Sequence, residues 1–417
     1  GRKGIDVLRP RKGVREKIGR ARLGGVGVPA SGGVGWREFS GVFVGGAVPV
    51  ASAGGRQVIA WGNCASGWDS STVSATLERK GARWLLEILD LPRESAVGFG
   101  TSATACTLSC LATARRELLK QQGWDFDQDG LIGAPEIRVV VSALVHITVI
   151  KALRVLGFGL RHLLIAPVNE RGQVDIERLP ELNDRTILCL QAGEVNSGEF
   201  DDFAQLIPLA KAAGSWVHVD GAFGLWARAS SLNELTSGVE LADSWTTDAH
   251  KWLNTPYDCA MAICRHAAAL SATLRGDAVY SAAAEDAQKN LTLEFSRRPR
   301  GIPVWAALRS LGRAGVAEMI ERHCRLAKRV AEGLSSSGYR VLNRVVLNQV
   351  LFRADDQQQT LRIRDAVQAS GETWFAATQW QGQPALRISI SSWRTEDANI
   401  DRLLLLLDRI KRSDAVE

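Results

Sequence analysis

The chain has 417 residues, 46% of them hydrophobic, which is enough to bury a large core or two domains. No apolar run approaches the length of about 20 residues that a membrane-spanning helix requires, so no membrane partner is predicted. The formal net charge is +6, but residues 1–23 contain nine Lys or Arg and two Asp or Glu, so the basic character belongs to the amino-terminal stretch.

Residues 1–40 are predicted to form a basic, glycine-rich and poorly ordered tail. A cationic stretch can contact nucleic acid or anionic lipid, but a solvated extension is the favoured interpretation, so no nucleic-acid partner is predicted. The tail lacks the apolar core of a signal peptide. The chain has seven cysteines, none with CxxC spacing, which favours reduced, mostly buried thiols and predicts a cytoplasmic protein.

Short apolar strands alternate with helical segments through most of the chain. Residues 24–56, rich in Gly, Val and Ala, give few helix or strand cues, and a helix is predicted from Ser71 until Pro92 stops it. Strands follow at 96–100, 138–142, 186–191, 216–219, 244–247 and 259–264, and helices at 104–121, 148–156 and 203–213. This alternation predicts an α/β fold with a mainly parallel sheet, which binds ligands at the carboxyl ends of its strands.

After Arg300 the pattern changes to that of a smaller α+β domain. A long helical stretch is predicted over 304–311 and then 316–334, a closing helix at 400–410, and strands at 345–352 and 386–391. We therefore predict a tail (1–40), an amino-terminal segment with its helix (41–95), a large cofactor-binding domain (96–300) and a small carboxyl-terminal domain (301–417).

Two charged residues follow predicted strands and suggest the chemistry. Lys251 lies in Asp248-Ala-His-Lys-Trp252, and Asp220 comes directly after the strand at 216–219. A lysine amine can condense with an aldehyde, and a buried aspartate can hold a pyridinium nitrogen in its protonated form. Together the two residues indicate a pyridoxal phosphate site.

Three further segments also fall at strand ends. Thr101-Ser-Ala-Thr104 precedes a helix, where backbone N–H groups and hydroxyls can hold a phosphate. His146 follows the strand at 138–142, and the loop Gly193-Glu-Val-Asn-Ser-Gly198 offers polar side chains to a ligand. Each of these alone would more readily be a helix cap, a core residue or a turn.

The order of these motifs resembles that of fold type I pyridoxal-phosphate enzymes, specifically the group II amino-acid decarboxylases. The resemblance runs from about residue 71 to 415. Its motifs are Val145-His-Ile-Thr-Val-Ile-Lys-Ala152, Gly193–Gly198, His218-Val-Asp-Gly-Ala222 and Asp248–Trp252, with Thr101–Thr104 as a looser phosphate loop.

This resemblance implies a role for each matching residue. As catalytic residues, Lys251 would form a Schiff base with pyridoxal 5'-phosphate, Asp220 would pair with the ring nitrogen and His146 would stack on the ring. The implied cofactor-binding set is Ser102, Ala103, Thr104, His146, Asn196, Asp220, Asp248, His250 and Lys251, without a metal. The resemblance also implies a homodimer with its active site at the subunit interface, acting on a small amino-acid substrate.

Departures from the family pattern bear on the reaction. Group II decarboxylases carry a mobile loop whose tyrosine protonates the carbanion after CO₂ leaves, whereas the matching stretch here, about 282–295, has no tyrosine and Tyr280 lies just before it. Asp248 stands where the family has asparagine, which places an extra anion near the cofactor, and the phosphate loop lacks a Gly-Gly pair.

We predict a carboxy-lyase that decarboxylates an amino acid. An aminotransferase or a retro-aldol carbon–carbon lyase on the same fold is the alternative, and a non-catalytic cofactor-binding protein is a further one. An aminotransferase would need an arginine for the substrate's α-carboxylate, for which Arg387, Arg297 and Arg298 are candidates.

Residues 125–136, Asp-Phe-Asp-Gln-Asp-Gly-Leu-Ile-Gly-Ala-Pro-Glu, match the twelve-residue calcium-loop pattern. A calcium-binding helix–loop–helix also needs an exiting helix, whereas a strand is predicted to follow at 138–142. We therefore favour a surface turn over a calcium site for this segment.

Overall fold

The computed structural model describes residues 39–41, 46–276, 284 and 286–414. Most of the predicted tail and Tyr280 lie outside these residues. Among the helices within the described ranges, none combines the length and the apolar character that crossing a membrane requires.

The described chain contains two sheets and the helices that cover them. The helices are α1 (Pro49–Trp61), α2 (Thr72–Ile88), α3 (Ala103–Gln121), α4 (Phe126–Asp129), α5 (Ile147–Val155), α6 (Phe203–Ala212), α7 (Ala267–Leu274), α8 (Gly301–Ser336), α9 (Gln357–Ser370) and α10 (Asp397–Asp414). The strands are β1 (Phe39–Gly41), β2 (Ala96–Gly100), β3 (Arg138–Ser142), β4 (Leu164–Ala166), β5 (Thr186–Gln191), β6 (Trp216–Asp220), β7 (Ser244–Asp248), β8 (Ala260–Cys264), β9 (Arg340–Val341), β10 (Gln349–Arg353), β11 (Trp374–Trp380) and β12 (Gln383–Ser389).

The larger sheet has seven strands in the order β2-β8-β7-β6-β5-β3-β4. Strands β3 to β7 pair in parallel, and β8 runs antiparallel to both of its neighbours. Every residue of β5, β6 and β7 is buried, as expected for parallel strands covered on both faces. These observations confirm the predicted α/β fold with a mainly parallel sheet.

The register of the central strands brings their carboxyl ends together at one edge. Gln191 of β5 is level with Asp220 of β6, and Asp220 is level with Thr246 of β7. Short polar side chains start the helices near this edge: the Ser102 hydroxyl accepts the Ala105 N–H at the start of α3. Residues that follow β5, β6 and β7 therefore lie close together in space.

The smaller sheet has five strands in the order β1-β11-β12-β10-β9. Strands β9 to β12 pair antiparallel, and β1 joins the edge in parallel with β11. Its buried side chains, such as Phe352, Phe375 and Leu386, form a core with those of α8 and α10. The sheet thus unites the carboxyl-terminal part with a strand from the start of the described chain, and the domain boundaries predicted from the sequence remain a proposal.

Several elements differ from the sequence-based prediction. Irregular chain was predicted over 24–56, which is wrong at Pro49, where α1 begins: this helix buries only Ala51 and Val58 and has no capping side chain, so its local signal is weak. The long helical stretch predicted over 304–311 and 316–334 begins three residues earlier and is one helix, α8, interrupted by the non-helical backbone of Gly312. Helix α9 and strand β11 were not predicted.

Candidate active site

Lys251 lies on the turn that follows β7, at the edge where β5 and β6 also end. Its Nζ lies 3.1 Å from Oδ2 of Asp248, and its side chain is 21% exposed, so the amine can still be reached from solvent. The next residue, Trp252, is fully buried and anchors the turn in the core. The structure therefore places this lysine on a turn that is anchored in the core, with its side chain partly accessible to solvent.

Asp220 is the last residue of β6 and is buried beside this turn. One of its oxygens accepts the Ala222 N–H at 3.1 Å. Burial raises the pKa of the Asp220 carboxyl, while the charges of His146 and Lys251 act in the opposite direction. A buried carboxylate in such surroundings is stabilised by a cationic partner.

His146 caps the amino terminus of α5 and faces the same site. Its Nδ1 forms a 2.7 Å hydrogen bond with the Thr148 hydroxyl. Burial lowers the pKa of His146, and the negative charge of Asp220 partly offsets that effect. The imidazole is therefore a neutral, flat ring within electrostatic reach of both Asp220 and Lys251.

The segment Ser102–Thr104 lies at the start of α3, next to Asp248. The Ala103 N–H, in the first turn of the helix, donates a 2.8 Å hydrogen bond to Oδ1 of Asp248. Thr104 is partly buried in the same turn. The predicted phosphate loop and the predicted lysine thus meet through one carboxylate.

His250 presents a donor to the same carboxylate. Its Nδ1 accepts the Cys259 N–H at 3.2 Å, so in the neutral ring the proton sits on Nε2, which lies 3.6 Å from Oδ1 of Asp248. Burial lowers the pKa of His250, which favours this neutral form. The ring stacks on Tyr257, 4.2 Å between centroids. Tyr257 was not predicted, although it lies only six residues beyond Lys251 in the sequence.

The loop Gly193–Gly198 is held by the smaller sheet. The carboxylate of the buried Glu194 accepts the N–H groups of Asn196 and Ser197, at 2.8 and 2.7 Å. The Asn196 Oδ1 accepts the hydroxyl of Thr378 on β11 at 2.8 Å. The structure therefore places Asn196 between the two sheets. The sequence motif contained Glu194 without revealing its role, and Thr378 was missed together with its strand.

Of the three arginines considered from the sequence, Arg387 is the one that reaches this site. Its Nη1 donates to the Val195 carbonyl at 2.9 Å, and its buried Nε has no hydrogen-bond partner within the described part of the chain. Burial lowers the pKa of Arg387, and its charge acts on His146. Arg297 is instead paired with Glu78, and Arg298 with Asp258.

The calcium-like segment 125–136 adopts a different local structure. The Asp125 carboxylate caps the short helix α4, and Asp127 pairs with Arg116 on α3. Strand β3 follows where an exiting helix would be needed. Over the described ranges, no group of three or more His, Cys, Asp or Glu side chains is arranged to hold a metal ion.

The groups at this edge fit the chemistry of pyridoxal phosphate. A buried acid suits a pyridinium nitrogen, an accessible amine suits an aldehyde, and helix N–H groups suit a phosphate. The Asp220 carboxylate accepts the Ala222 N–H from the described part of the chain, and a protonated ring nitrogen would complete its surroundings. The phosphate end departs from this fit, because Asp248 already accepts the Ala103 N–H.

Comparisons with known proteins agree with this chemistry. Residues 60–355 match the model of the pyridoxal-dependent decarboxylase conserved domain. An aromatic-L-amino-acid decarboxylase of Bacillus atrophaeus is 27% identical over 305 residues, which span 69% of this chain and 61% of that protein. A phenylacetaldehyde synthase of Arabidopsis thaliana is 25% identical over 366 residues, 80% of this chain and 73% of that protein.

The fold is also that of solved members of this group. The crystal structure of TDC from Oryza sativa with PLP and tryptamine superimposes with a TM-score of 0.88 at 21% identity, covering 97% of this chain and 89% of that one. Family and fold together confirm the predicted fold type I architecture, the cofactor pyridoxal 5'-phosphate and the enzyme class. Since the family model matches more than half of the length of this chain, the chain belongs to the pyridoxal-dependent decarboxylase family, the group II decarboxylases.

Proposed function

We propose that this protein removes the α-carboxyl group of an amino acid and that Lys251 is the residue that attaches the cofactor. The observation that carries the proposal is the meeting of Lys251, Asp220 and His146 at one edge of the larger sheet, where their charges act on one another. Few structural roles require an amine, a buried acid and an imidazole side by side at one sheet edge.

Each group has a distinct task in this proposal. When bound, pyridoxal phosphate supplies an electron sink for the pair left on Cα as CO₂ departs. Asp220 keeps a proton on the ring nitrogen and so maintains that sink, while the His146 ring supports the face of the cofactor. Lys251 provides the amine, and Ser102, Ala103, Thr104 and His250 hold the phosphate end with N–H and hydroxyl donors. Asn196 and Asp248 are the remaining residues of the proposed cofactor-binding set.

Transamination is the second candidate, and Arg387 favours it. A half-buried guanidinium whose buried Nε has no hydrogen-bond partner within the described residues is suited to an α-carboxylate, which accepts two parallel N–H bonds. An arginine that stabilises this anion opposes its loss as CO₂ and favours reactions that break the Cα–H bond. The two reactions therefore differ in whether Arg387 contacts the α-carboxylate.

Assembly and location are further parts of the proposal. We propose a homodimer whose interface includes the solvent-exposed side chains Ile59 and Trp61 of α1 and Tyr257 beside the site. Burial of such apolar surface would stabilise a dimer and shield the site from water. We propose a cytoplasmic location because all seven cysteines are free thiols, which persist in a reducing compartment.

Spectroscopy and product analysis test the function. The purified protein with pyridoxal phosphate should show the visible imine absorption band, and Lys251→Ala should lose it, while Lys120→Ala, a change at an exposed lysine, should keep it. A panel of amino acids should then release CO₂ and yield amines. Keto acids formed without CO₂ when a 2-oxo acid is added to accept the amino group would establish the aminotransferase, and an unchanged band in Lys251→Ala would refute the site.

A further inference from the structure

Asp248 occupies the position between the phosphate loop and the lysine. Its carboxylate is buried, with 2% of the residue exposed. One oxygen accepts the Ala103 N–H at 2.8 Å, and the other lies 3.1 Å from Nζ of Lys251. Both partners belong to the cofactor-binding set proposed above, so the carboxylate binds groups that the cofactor itself needs.

The Ala103 N–H is a donor of the kind that binds anions. Helix α3 runs from Ala103 to Gln121, and its first-turn N–H groups have no partner within the helix. They carry the positive end of the helix dipole, which attracts phosphate. In this structure the anion at that place is Asp248, and the Nε2–H of His250 also faces it, at 3.6 Å.

A carboxylate and a phosphate dianion repel each other in such a buried place. Charges a few ångströms apart interact strongly when water is excluded, so seating the phosphate beside Asp248 requires the carboxylate to turn away or to gain a proton. Either change costs binding free energy. The asparagine that the family resemblance puts at this position has no charge and adds an N–H donor.

We propose that Asp248 lowers the affinity of this protein for the phosphate group of its cofactor. The carboxylate thereby reduces the ratio between the affinity for pyridoxal phosphate and the affinity for unphosphorylated pyridoxal. The proposal rests on the cofactor site described under the proposed function. Asp248 acts here as a determinant of cofactor specificity, through the Ala103 N–H that it shares with the phosphate.

Titration of the cofactor-free protein with pyridoxal phosphate and with pyridoxal tests the proposal, with binding followed by absorbance and protein fluorescence. Asp248→Asn should bind pyridoxal phosphate at least about tenfold more tightly, which is about 1.4 kcal/mol, and should bind pyridoxal within about twofold of the unmodified protein. Asp355→Asn removes an exposed carboxylate of equal charge and should change neither affinity.

The competing outcomes are distinct. Equal gains for both ligands would mean that Asp248 acts on Lys251 rather than on the phosphate, and an unchanged or weaker affinity for pyridoxal phosphate would likewise overturn the proposal. If neither ligand binds the unmodified protein, the proposed function itself fails.

Two further measurements test the proposal if Asp248→Asn does not fold. Asp248→Ser, with a short neutral side chain, should show the same selective gain. The unmodified protein should bind pyridoxal phosphate less than about a hundredfold more tightly than pyridoxal, since the repulsion offsets the phosphate contacts, and a larger ratio would contradict the proposal.

Discussion

The indole N–H of Trp252 donates a 2.9 Å hydrogen bond to Nδ1 of His323 on helix α8. Because Nδ1 accepts, the proton of the neutral ring sits on Nε2, which donates to the Ser392 carbonyl at 2.9 Å. Trp252 directly follows Lys251, so these two bonds tie the turn that carries the lysine to the long helix and to the segment after β12. Only the neutral imidazole satisfies both bonds.

This relationship predicts a loss of stability in acid. Burial lowers the pKa of His323 to about 3, while the same side chain in the unfolded chain titrates near its ordinary value of 6.5. Below pH 6.5 the imidazole is therefore protonated in the unfolded state but stays neutral in the folded state. The contribution of His323 to the free energy of unfolding, present in full above pH 6.5, is lost progressively as the pH falls toward 3. The slope for one such group is about 1.4 kcal/mol per pH unit.

Urea unfolding at several pH values between 7 and 4 checks this prediction. His323→Gln, which can still accept and donate one hydrogen bond each, should show a shallower pH dependence than the unmodified protein. Some dependence should remain, because burial also lowers the pKa of His218 to about 3. Identical slopes in the variant and the unmodified protein would show that His323 does not carry the effect.

The stability of the protein should depend strongly on the buried ion pair that joins α2 to Arg297. Glu78 on α2 and Arg297 are 1% and 0% exposed at their side chains and form two hydrogen bonds, at 2.8 and 2.9 Å. Glu78→Leu leaves the guanidinium buried without its counter-charge, so the free energy of unfolding should fall by about 3–5 kcal/mol. Denaturant unfolding measures this change.

The matched control is the double variant Glu78→Leu with Arg297→Met. It removes both charges and fills the space with apolar atoms, so it should be more stable than Glu78→Leu alone. A double variant as unstable as the sum of the two single variants would show that packing, and not the unpaired charge, dominates here.

Asp220→Asn should separate folding from function. The amide cannot hold a proton on a ring nitrogen, so turnover should fall by at least about a hundredfold, while the unfolding free energy changes little or rises because a buried charge is lost. Steady-state kinetics and thermal unfolding measure the two effects. Asp184→Asn, at an exposed aspartate, should leave both unchanged. Full activity in Asp220→Asn would place the ring nitrogen elsewhere.

Arg387→Met tests whether the guanidinium contacts the substrate. If Arg387 binds the α-carboxylate, the loss of a charge-assisted pair should raise KM by about tenfold or more, while the visible absorption of the bound cofactor stays the same. Arg353→Met, on the neighbouring strand β10, is the control and should leave KM unchanged. An unchanged KM in Arg387→Met would remove the observation that favours transamination.

Local patterns predicted the central strands of the larger sheet well, and strand β11 and some helices poorly. The predicted bounds of β3 and β5 match the structure, because short apolar runs between polar turns are a strong local signal. Helix α9 was missed because its sequence is mostly polar and buries only Thr360, Ile363 and Val367. Helix α1 was missed because Gly54 and Gly55 obscure its pattern and no side chain caps it.

The sequence by itself determined the family and the cofactor, and it placed a lysine and an aspartate at strand ends, where their roles are a proposal. It could do so because these residues follow short apolar strands in a fixed order, and strand ends of a parallel sheet meet at one edge. The tertiary structure alone decided which groups touch: Ala103 and Asp248 lie 145 residues apart, and Arg387 and Val195 lie 192 apart. Such contacts depend on how α3 and the smaller sheet pack against the larger one, and no local spacing encodes that packing.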